Sequence, residues 1–177
     1  MPSVRFEVRL LSREGKNALS ASGADEVSFV MSANAGEALG PISRIASGGE
    51  LSRIMLALKN VFAEKDGVDA LIFDEIDTGV SGVAAQRVAE KLASLGRTKQ
   101  VLCVTHLPQI AAMAQQQYLV EKAEHGGRTY TNIRLLDREG RRYELARLSG
   151  GDMITDIQLA GAEELLARDE RFRASLS

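Results

Sequence analysis

Two short apolar runs separated by an amphipathic stretch constrain the fold of this chain more than any other feature. The runs are residues 70–73 and 101–104. Between them, apolar residues recur at helical spacing over residues 83–95, and Gly96 follows as a stop signal. Short, continuously apolar runs are typical of strands in a parallel sheet, which needs a crossover helix between its strands. The sequence therefore predicts a strand, a helix and a second buried strand in a parallel α/β unit.

Further strands and helices are predicted on both sides of this unit. Residues 4–10 and 27–31 alternate apolar and polar side chains, which predicts an antiparallel pair at the N-terminus. Gly126-Gly127 separates two strand-like segments and predicts a hairpin. Helical spacing of apolar residues predicts three more helices, which start at Leu51, after Pro108, and at Ile154, where the helix extends to Ala167.

Length and composition restrict the class of protein. The chain has 177 residues, 45% of them hydrophobic and 26% charged, which suits one globular domain. No apolar run approaches the roughly 20 residues needed to cross a bilayer, and no signal segment is visible at the start. We therefore expect a cytoplasmic protein without membrane contact. The single cysteine, Cys103, lies in an apolar run and is interpreted as a buried thiol.

The net charge of the chain does not indicate that it binds nucleic acid. The formal net charge is −2, so any DNA contact must come from a local patch or from parts of a larger protein. One basic stretch contains Arg138, Arg141, Arg142 and Arg147, but acidic residues interleave with it. The sequence favours a solvated face for this stretch.

A Ser-Gly-Gly turn at the start of the helix near Leu51 is a candidate phosphate site. In Ser47-Gly48-Gly49-Glu50, the glycines let the backbone approach a phosphate, and the helix N-terminus favours negative charge. An ordinary helix N-cap is the alternative, and it is the commoner role of such a tripeptide. A second copy, Ser149-Gly150-Gly151, lacks the same continuation and is interpreted as a loop. Nowhere does the chain contain Gly-x-x-x-x-Gly-Lys-Ser/Thr, the loop that wraps nucleotide phosphates.

Carboxylates follow the first apolar run. Asp74 and Glu75 would lie at the carboxyl end of a strand, where open α/β sheets bind their ligands. Asp74 would hold Mg²⁺ mainly through water, and Glu75 would act as a base on the attacking water. A solvated loop is the alternative for such a pair. Asp77 adds a third carboxylate, which either assists the site or caps the turn at Thr78-Gly79, and the cap is favoured.

A histidine follows the second apolar run. His106 would reach the same sheet edge as Asp74 and Glu75, because the carboxyl ends of parallel strands meet there. A neutral imidazole in that place can bind a phosphate oxygen or orient a water molecule. Lone histidines are more often structural, but the shared edge favours a functional role.

The three motifs resemble those of ABC-type ATPases in order and spacing. Ser47-Gly48-Gly49-Glu50 resembles the signature motif, residues 71–75 resemble the Walker B strand, and Thr105-His106 resembles the switch histidine. The amino-acid sequences of these motifs are most similar to those of the RecN family of bacterial DNA repair proteins, in the SMC-like branch. The resemblance implies an α/β head lobe over residues 1–177. Its sheet would be mainly parallel and flanked by helices, with antiparallel strands at the N-terminus and a hairpin near the C-terminus.

The resemblance also implies cofactors, partners and roles. In such ATPases two heads enclose two ATP molecules and Mg²⁺, so Ser47, Gly48, Gly49 and Glu50 would contact nucleotide held by the opposite head. Asp74 as metal ligand and Glu75 and His106 as catalytic residues would act on nucleotide of their own head. An N-terminal lobe would supply the Walker A loop, and the full-length protein would act on DNA in break repair and recombination, in the bacterial cytoplasm near the nucleoid. The family usually has an aspartate where Ser81 stands.

Two other readings remain open. A transporter ATPase lobe is disfavoured, because those usually continue from the Walker B glutamate with Pro-Thr, whereas Ile76-Asp77-Thr78-Gly79 follows here. The third reading is a non-catalytic interaction module, since an isolated lobe could bind a partner head without turning over ATP.

Overall fold

A computed structural model of the chain describes residues 4–15, 19–32, 36, 38–42, 48–63, 65, 67–151 and 153–176. Two units can be distinguished, Met1–Leu51 and Ser52–Ser177. Within the described part of the chain, no helix is both long enough and apolar enough to cross a lipid bilayer.

The first unit contains a three-stranded antiparallel sheet. Its strands are β1 (Arg5–Ser12), β2 (Asp25–Ser32) and β3 (Gly40–Pro41), in the order β1-β2-β3. The predicted antiparallel pair is confirmed; β1 runs two residues past its predicted end, and β2 is longer than predicted at both ends. Alternation places apolar side chains opposite one another on one face, because directly paired residues point the same way. On that face the rings of Phe6 and Phe29 stack with their centroids 5.9 Å apart.

The second unit is built around a parallel strand pair. Helix α1 (Gly48–Phe62) leads into it, and then come β4 (Ala70–Phe73), α2 (Gly82–Leu95) and β5 (Gln100–Cys103). β4 and β5 pair in parallel with Phe73 opposite Cys103, as the two apolar runs predict. Helix α2 ends at its predicted residue, with Gly96 as its C-cap.

The core of this unit lies on one face of the strand pair. It consists of buried side chains from β4, the three helices around it and the segment after β4: Leu56, Phe73, Ile76, Val88, Ala89, Leu92, Leu95, Ile110 and Met113. On the other face, described apolar side chains of the strand pair are exposed. Ile72 is 75% exposed, and Leu102, its partner across the pair, is 48% exposed. The prediction that both strands are buried is therefore correct for one face only.

The prediction of a mainly parallel sheet is confirmed only for β4 and β5 among the described residues. β4 and β5 form a sheet of two strands, and the other sheets are antiparallel. The reason is the number of crossover helices: parallel neighbours need a long connection, and α2 supplies one such crossover. The short connection between the strands of the predicted hairpin permits antiparallel pairing alone.

The hairpin forms where the sequence predicts it. Helix α3 (Pro108–Met113) precedes β6 (Tyr118–His125) and β7 (Arg128–Leu135), which pair antiparallel from end to end. The turn residues Gly126 and Gly127 have φ angles of 59° and 73°. Two consecutive left-handed residues make the tight turn that matches the twist of the strands, and glycine adopts that conformation at little cost.

Two helices complete the unit. α4 (Arg138–Gly150) was not predicted, and α5 (Asp156–Ser175) begins at the capping box of Thr155 and Gln158 and runs beyond its predicted end. The helices share a second core with α3, made of Ala111, Ala112, Leu145, Ala146, Ala162 and Leu166. The second Ser-Gly-Gly copy ends α4 rather than forming a loop, and Gly151 (φ 81°) is its C-cap.

The interpretation of the basic stretch as a solvated face is wrong for Arg141. This side chain is buried, and its Nη2 donates to the carbonyl oxygens of Ala112 (3.1 Å) and Ala114 (2.8 Å). Arg173 donates to the carbonyl of Met113 (2.9 Å). Two cations therefore satisfy the C-terminal carbonyls of α3, which have no partner within the helix. Arg138 fits the prediction, since it is exposed and paired with Glu163 and Glu170.

A buried carboxylate in α5 makes stability depend on pH. Asp169 is fully buried, and burial raises the pKa of its carboxyl above the ordinary 3.8, although Arg168 donates to it at 3.0 Å. As pH rises above 3.8, the unfolded chain releases this proton before the folded chain does, so the free energy of unfolding falls. We expect Asp169→Asn to lack this loss, so that its stability relative to wild type increases with pH. Urea unfolding at several pH values measures it, with the exposed Asp69→Asn as control. A pH-independent difference would contradict the prediction.

Candidate functional site

Asp74 and Glu75 directly follow β4 at its carboxyl end. Both side chains are exposed, and the Oδ1 atom of Asp74 accepts a hydrogen bond from the backbone N–H of Glu75 at 2.9 Å. The strand pairing extends one step past β5, where the N–H of Val104 donates to the carbonyl of Phe73 (3.0 Å). The polar residues after both strands are therefore delivered to the same edge, as the sequence predicts.

The backbone of Glu75 is in an unusual conformation. Its φ angle is 56°, and among the described residues no other non-glycine residue has a positive φ. A left-handed conformation crowds the Cβ atom against the backbone, at a cost on the order of 1 kcal/mol or more for a residue other than glycine. The turn is held by a hydrogen bond from the N–H of Thr78 to the carbonyl of Glu75 (3.1 Å). Strain of this kind clusters at functional sites, so the feature supports a role for Glu75.

Asp77 connects the two strand ends, and the prediction that it caps the turn at Thr78-Gly79 is wrong. Its carboxylate is buried, and Oδ2 accepts from the Thr105 hydroxyl (2.6 Å) and from the backbone N–H of His106 (2.9 Å). The Nδ1 atom of His106 lies 3.1 Å from the same oxygen. Burial raises the pKa of Asp77, but the two hydrogen bonds and the nearby imidazole outweigh it, so the pKa is lowered from 3.8. Asp77 is therefore an ionised link between β4 and β5.

His106 itself faces outward. Its side chain is 73% exposed, although its backbone is held by Asp77. The structure therefore brings together three of the predicted site residues, Asp74, Glu75 and His106, at one edge, through a fourth residue whose role the sequence did not reveal.

Helix α1 is attached to the segment after β4 by two side chains. The hydroxyl of Ser52 donates to the carbonyl of Asp74 (2.9 Å). Nη1 of Arg53 donates to the carbonyls of Ile76 (3.2 Å) and Thr78 (2.7 Å). These contacts hold the backbone on both sides of Asp77. In the sequence, Leu51-Ser52-Arg53 follows Ser47-Gly48-Gly49-Glu50 directly, and the second Ser-Gly-Gly copy has no such continuation.

The signature-like motif lies at the start of α1. Gly48 is the first helical residue, Gly49 is buried and Glu50 lies in the first turn. Ser47 lies outside the described residues. The N–H groups of a first helical turn lack partners within the helix, which is the property that the phosphate prediction uses. The placement of Gly48, Gly49 and Glu50 is compatible with that prediction and equally with a plain helix start.

The fit of the edge to a cation rests on Asp74. An exposed carboxylate at a strand end is a hard oxygen donor of the type that Mg²⁺ uses, and Mg²⁺ commonly takes only one or two protein carboxylates alongside water and phosphate oxygens. Among the described residues, no group of three or more His, Cys, Asp and Glu side chains could hold a metal ion. Asp74 therefore fits a cation shared with a phosphate ligand.

Cys103 is the last residue of β5, and its thiol is unreactive. Its side chain is partly buried against the core, and burial, together with the charges of Asp77 and Asp74, raises its pKa to about 12. A thiol with that pKa is protonated at neutral pH and a poor nucleophile, which agrees with the structural role predicted from sequence.

Comparison with known proteins identifies the family. No family model matches the chain. A protein of Halalkalibacterium halodurans named DNA repair protein RecN is 46% identical over 167 residues, which cover 94% of this chain and 30% of the relative. The RecN of Bacillus subtilis is 41% identical over 178 residues, covering 96% and 31%. We therefore assign the chain to the RecN family. The chain spans about a third of the length of these RecN relatives.

A solved structure supports the fold. The Smc head domain with a coiled coil and joint from Pyrococcus yayanosii superposes with a TM-score of 0.56, at 19% identity, over 81% of this chain and 26% of that one. This superposition supports the α/β fold of the chain.

Proposed function

We propose that the chain is the C-terminal lobe of a RecN-like ATPase head, which binds and hydrolyses ATP between two heads and so drives DNA double-strand break repair and recombination. One observation carries the proposal: Asp74, Glu75 and His106 lie at one edge of the β4–β5 pair, with Glu75 in a strained backbone conformation. Placing the repair function in the full-length protein follows from the name of the relatives, of which this chain spans about 30%.

The roles at the edge follow from the chemistry of the side chains. Asp74 would hold Mg²⁺, and the bound cation would offset the negative charge of the phosphates. Glu75 would accept a proton from, or orient, the attacking water. His106, which is exposed at the same edge, would bind that water or an oxygen of the γ-phosphate.

The start of α1 would serve the opposite head. Gly48 and Gly49 present backbone without Cβ atoms, and the helix N-terminus favours an anion. Ser47, Gly48 and Gly49 would therefore contact the γ-phosphate of nucleotide bound by the other head, and Glu50 would belong to the same nucleotide-binding turn. The catalytic unit would then be a dimer of heads. Ser81 stands where the family usually has the aspartate of the dimer-contacting loop; it precedes α2 in an extended conformation (φ −155°) and makes no side-chain cap.

A second lobe would complete each head. Parallel sheets are normally covered on both faces, whereas Ile72, Leu102 and Val104 expose 75%, 48% and 63% of their surface on one face of β4–β5. The 177 residues also contain no phosphate-wrapping loop, and the RecN relatives are about three times longer. An N-terminal lobe that carries the Walker A loop would supply both the cover and the phosphate site. DNA would be contacted through the full-length protein in the bacterial cytoplasm, near the nucleoid.

Ser47→Arg in a completed head tests the trans arrangement. The arginine would fill the site at which this turn binds the γ-phosphate of nucleotide held by the other head. We therefore expect the ATP affinity of a single head to stay within about 2-fold, whereas ATP-driven dimerisation and hydrolysis are lost. Nucleotide titration, light scattering and phosphate release measure the three quantities. Ser149→Arg in the second Ser-Gly-Gly copy, exposed at the end of α4, is the matched control and should change none of them. Equal loss of affinity and dimerisation would contradict a role in trans.

A further inference from the structure

The three contacts of Asp77 converge on a single oxygen. Oδ2 receives the hydroxyl of Thr105 at 2.6 Å and the backbone N–H of His106 at 2.9 Å, and Nδ1 of the imidazole lies 3.1 Å away. The carboxylate is 3% exposed and the imidazole is 73% exposed. One side of the imidazole therefore lies against a buried anion, and most of the rest of the ring is exposed to solvent.

The backbone on either side of Asp77 is hydrogen-bonded to helix α1. Arg53 donates from Nη1 to the carbonyls of Ile76 and Thr78, the residues on either side of Asp77. The backbone of Asp77 therefore cannot move without breaking hydrogen bonds to α1. A fixed acceptor at a fixed distance is what is needed to set the orientation of a neighbouring ring.

The contact also selects between the two ring nitrogens. A carboxylate is an acceptor only, so the nitrogen that faces it is the one that carries a proton in the neutral ring. With the proton on Nδ1, Nε2 has a free lone pair and accepts a hydrogen bond from water. If Asp77 served only to link the two strands, its hydrogen bonds with Thr105 and the backbone N–H of His106 would be sufficient. The tautomer of the His106 ring would then not matter.

We propose that Asp77 is a positioning residue that holds His106 in its Nδ1–H tautomer, so that Nε2 accepts a hydrogen bond from the attacking water at the edge shared with Glu75. The catalytic part of this role rests on the proposed ATPase function. The tautomer is a property of the chain itself and can be tested without nucleotide or a second lobe.

The first test is the protonation pattern of His106, read from long-range ¹H–¹⁵N spectra of the 177-residue chain at about pH 9, where imidazoles are neutral. The chain has two histidines, so His125→Gln leaves His106 as the single imidazole. In that background we expect Nδ1 to be protonated and Nε2 unprotonated. Asp77→Asn, whose amide oxygen can take the place of Oδ2, should weaken this preference. Asp77→Ala should abolish it and give mainly the Nε2–H form that free imidazoles favour.

Thr105→Val is the matched control for the first test. It removes the 2.6 Å hydrogen bond to Asp77 and lowers stability, but it leaves the contact with Nδ1, so the Nδ1–H tautomer should persist. A wild-type ring that is mainly Nε2–H, or a tautomer that Asp77→Asn and Asp77→Ala leave unchanged, would overturn the proposal. Because Asn is near-isosteric with Asp, the series gives an answer even if Asp77→Ala does not fold.

The second test is kinetic and uses a head completed by the second lobe. Asp77→Asn should lower kcat a few-fold and Asp77→Ala by about 10-fold or more, with KM for ATP nearly unchanged, because the ring acts on water and not on nucleotide binding. A wild-type kcat in Asp77→Ala would overturn the positioning role in catalysis. A wild-type head without ATPase activity would instead refute the proposed function, while the tautomer measurement would still decide whether Asp77 positions His106.

Discussion

Glu75→Gln in a completed head should lower ATP turnover by about 10²-fold or more and leave nucleotide binding and head dimerisation intact. Glutamine has nearly the same shape as glutamate but does not accept a proton, so the variant removes the general base and little else. The left-handed backbone at residue 75 is equally strained with glutamine, and the fold around it should not change. ATP would then trap the dimer, because the step that releases it is blocked.

Phosphate release and size-exclusion chromatography with ATP measure this outcome. Glu121→Gln, which removes an exposed carboxylate from the hairpin strand β6, is the control and should turn over ATP as wild type does. Turnover by Glu75→Gln within a few-fold of wild type would remove Glu75 from the role of base. It would also favour the reading of the chain as a non-catalytic interaction lobe.

The 177-residue chain alone should show no ATPase activity above background. Affinity for nucleotide in this class of site comes largely from the backbone N–H groups and the lysine of a phosphate loop, and the chain contains no such loop. Asp74 and Glu75 would then face neither a held Mg²⁺ nor a positioned γ-phosphate, so the proximity and electrostatic contributions to phosphoryl transfer are lost together.

Activity should return when an N-terminal lobe with an intact phosphate loop is supplied, fused or in trans. The same lobe with its phosphate-loop lysine replaced by alanine is the control and should restore nothing. Robust Mg²⁺-dependent hydrolysis by the chain alone, abolished by Glu75→Gln, would contradict the division of the site between two lobes.

The parts of the fold that the sequence predicts are those set by local pattern. β4 matches its apolar run, and the Gly126-Gly127 turn joins the predicted hairpin, because both depend on residues that are neighbours in the chain. Helix α4 escaped prediction because it is rich in charge, and its buried Arg141 reads as a surface residue. The burial of that arginine depends on carbonyls nearly thirty residues away.

The candidate site also has features that the sequence predicts and features that it does not. Asp74, Glu75 and His106 could be assigned to one edge, because the order strand, helix, strand fixes where parallel strands end. The role of Asp77 could not be read from its neighbours, since its partners Thr105 and His106 lie 28 and 29 residues further along the chain. The positive φ of Glu75 has no sequence signal either, because glycine is the residue that usually marks such a conformation.

The open strand pair also bears on how the chain behaves at high concentration. Within the described residues, β4 and β5 each have one strand neighbour, so each presents a second edge of backbone N–H and C=O groups that another polypeptide could pair with. The exposed apolar side chains of Ile72 and Leu102 lie on the sheet face between those edges. Pairing between copies of the chain would begin at these edges, next to the face that a second lobe is proposed to cover. That lobe could therefore protect the chain from self-association as well as complete its site.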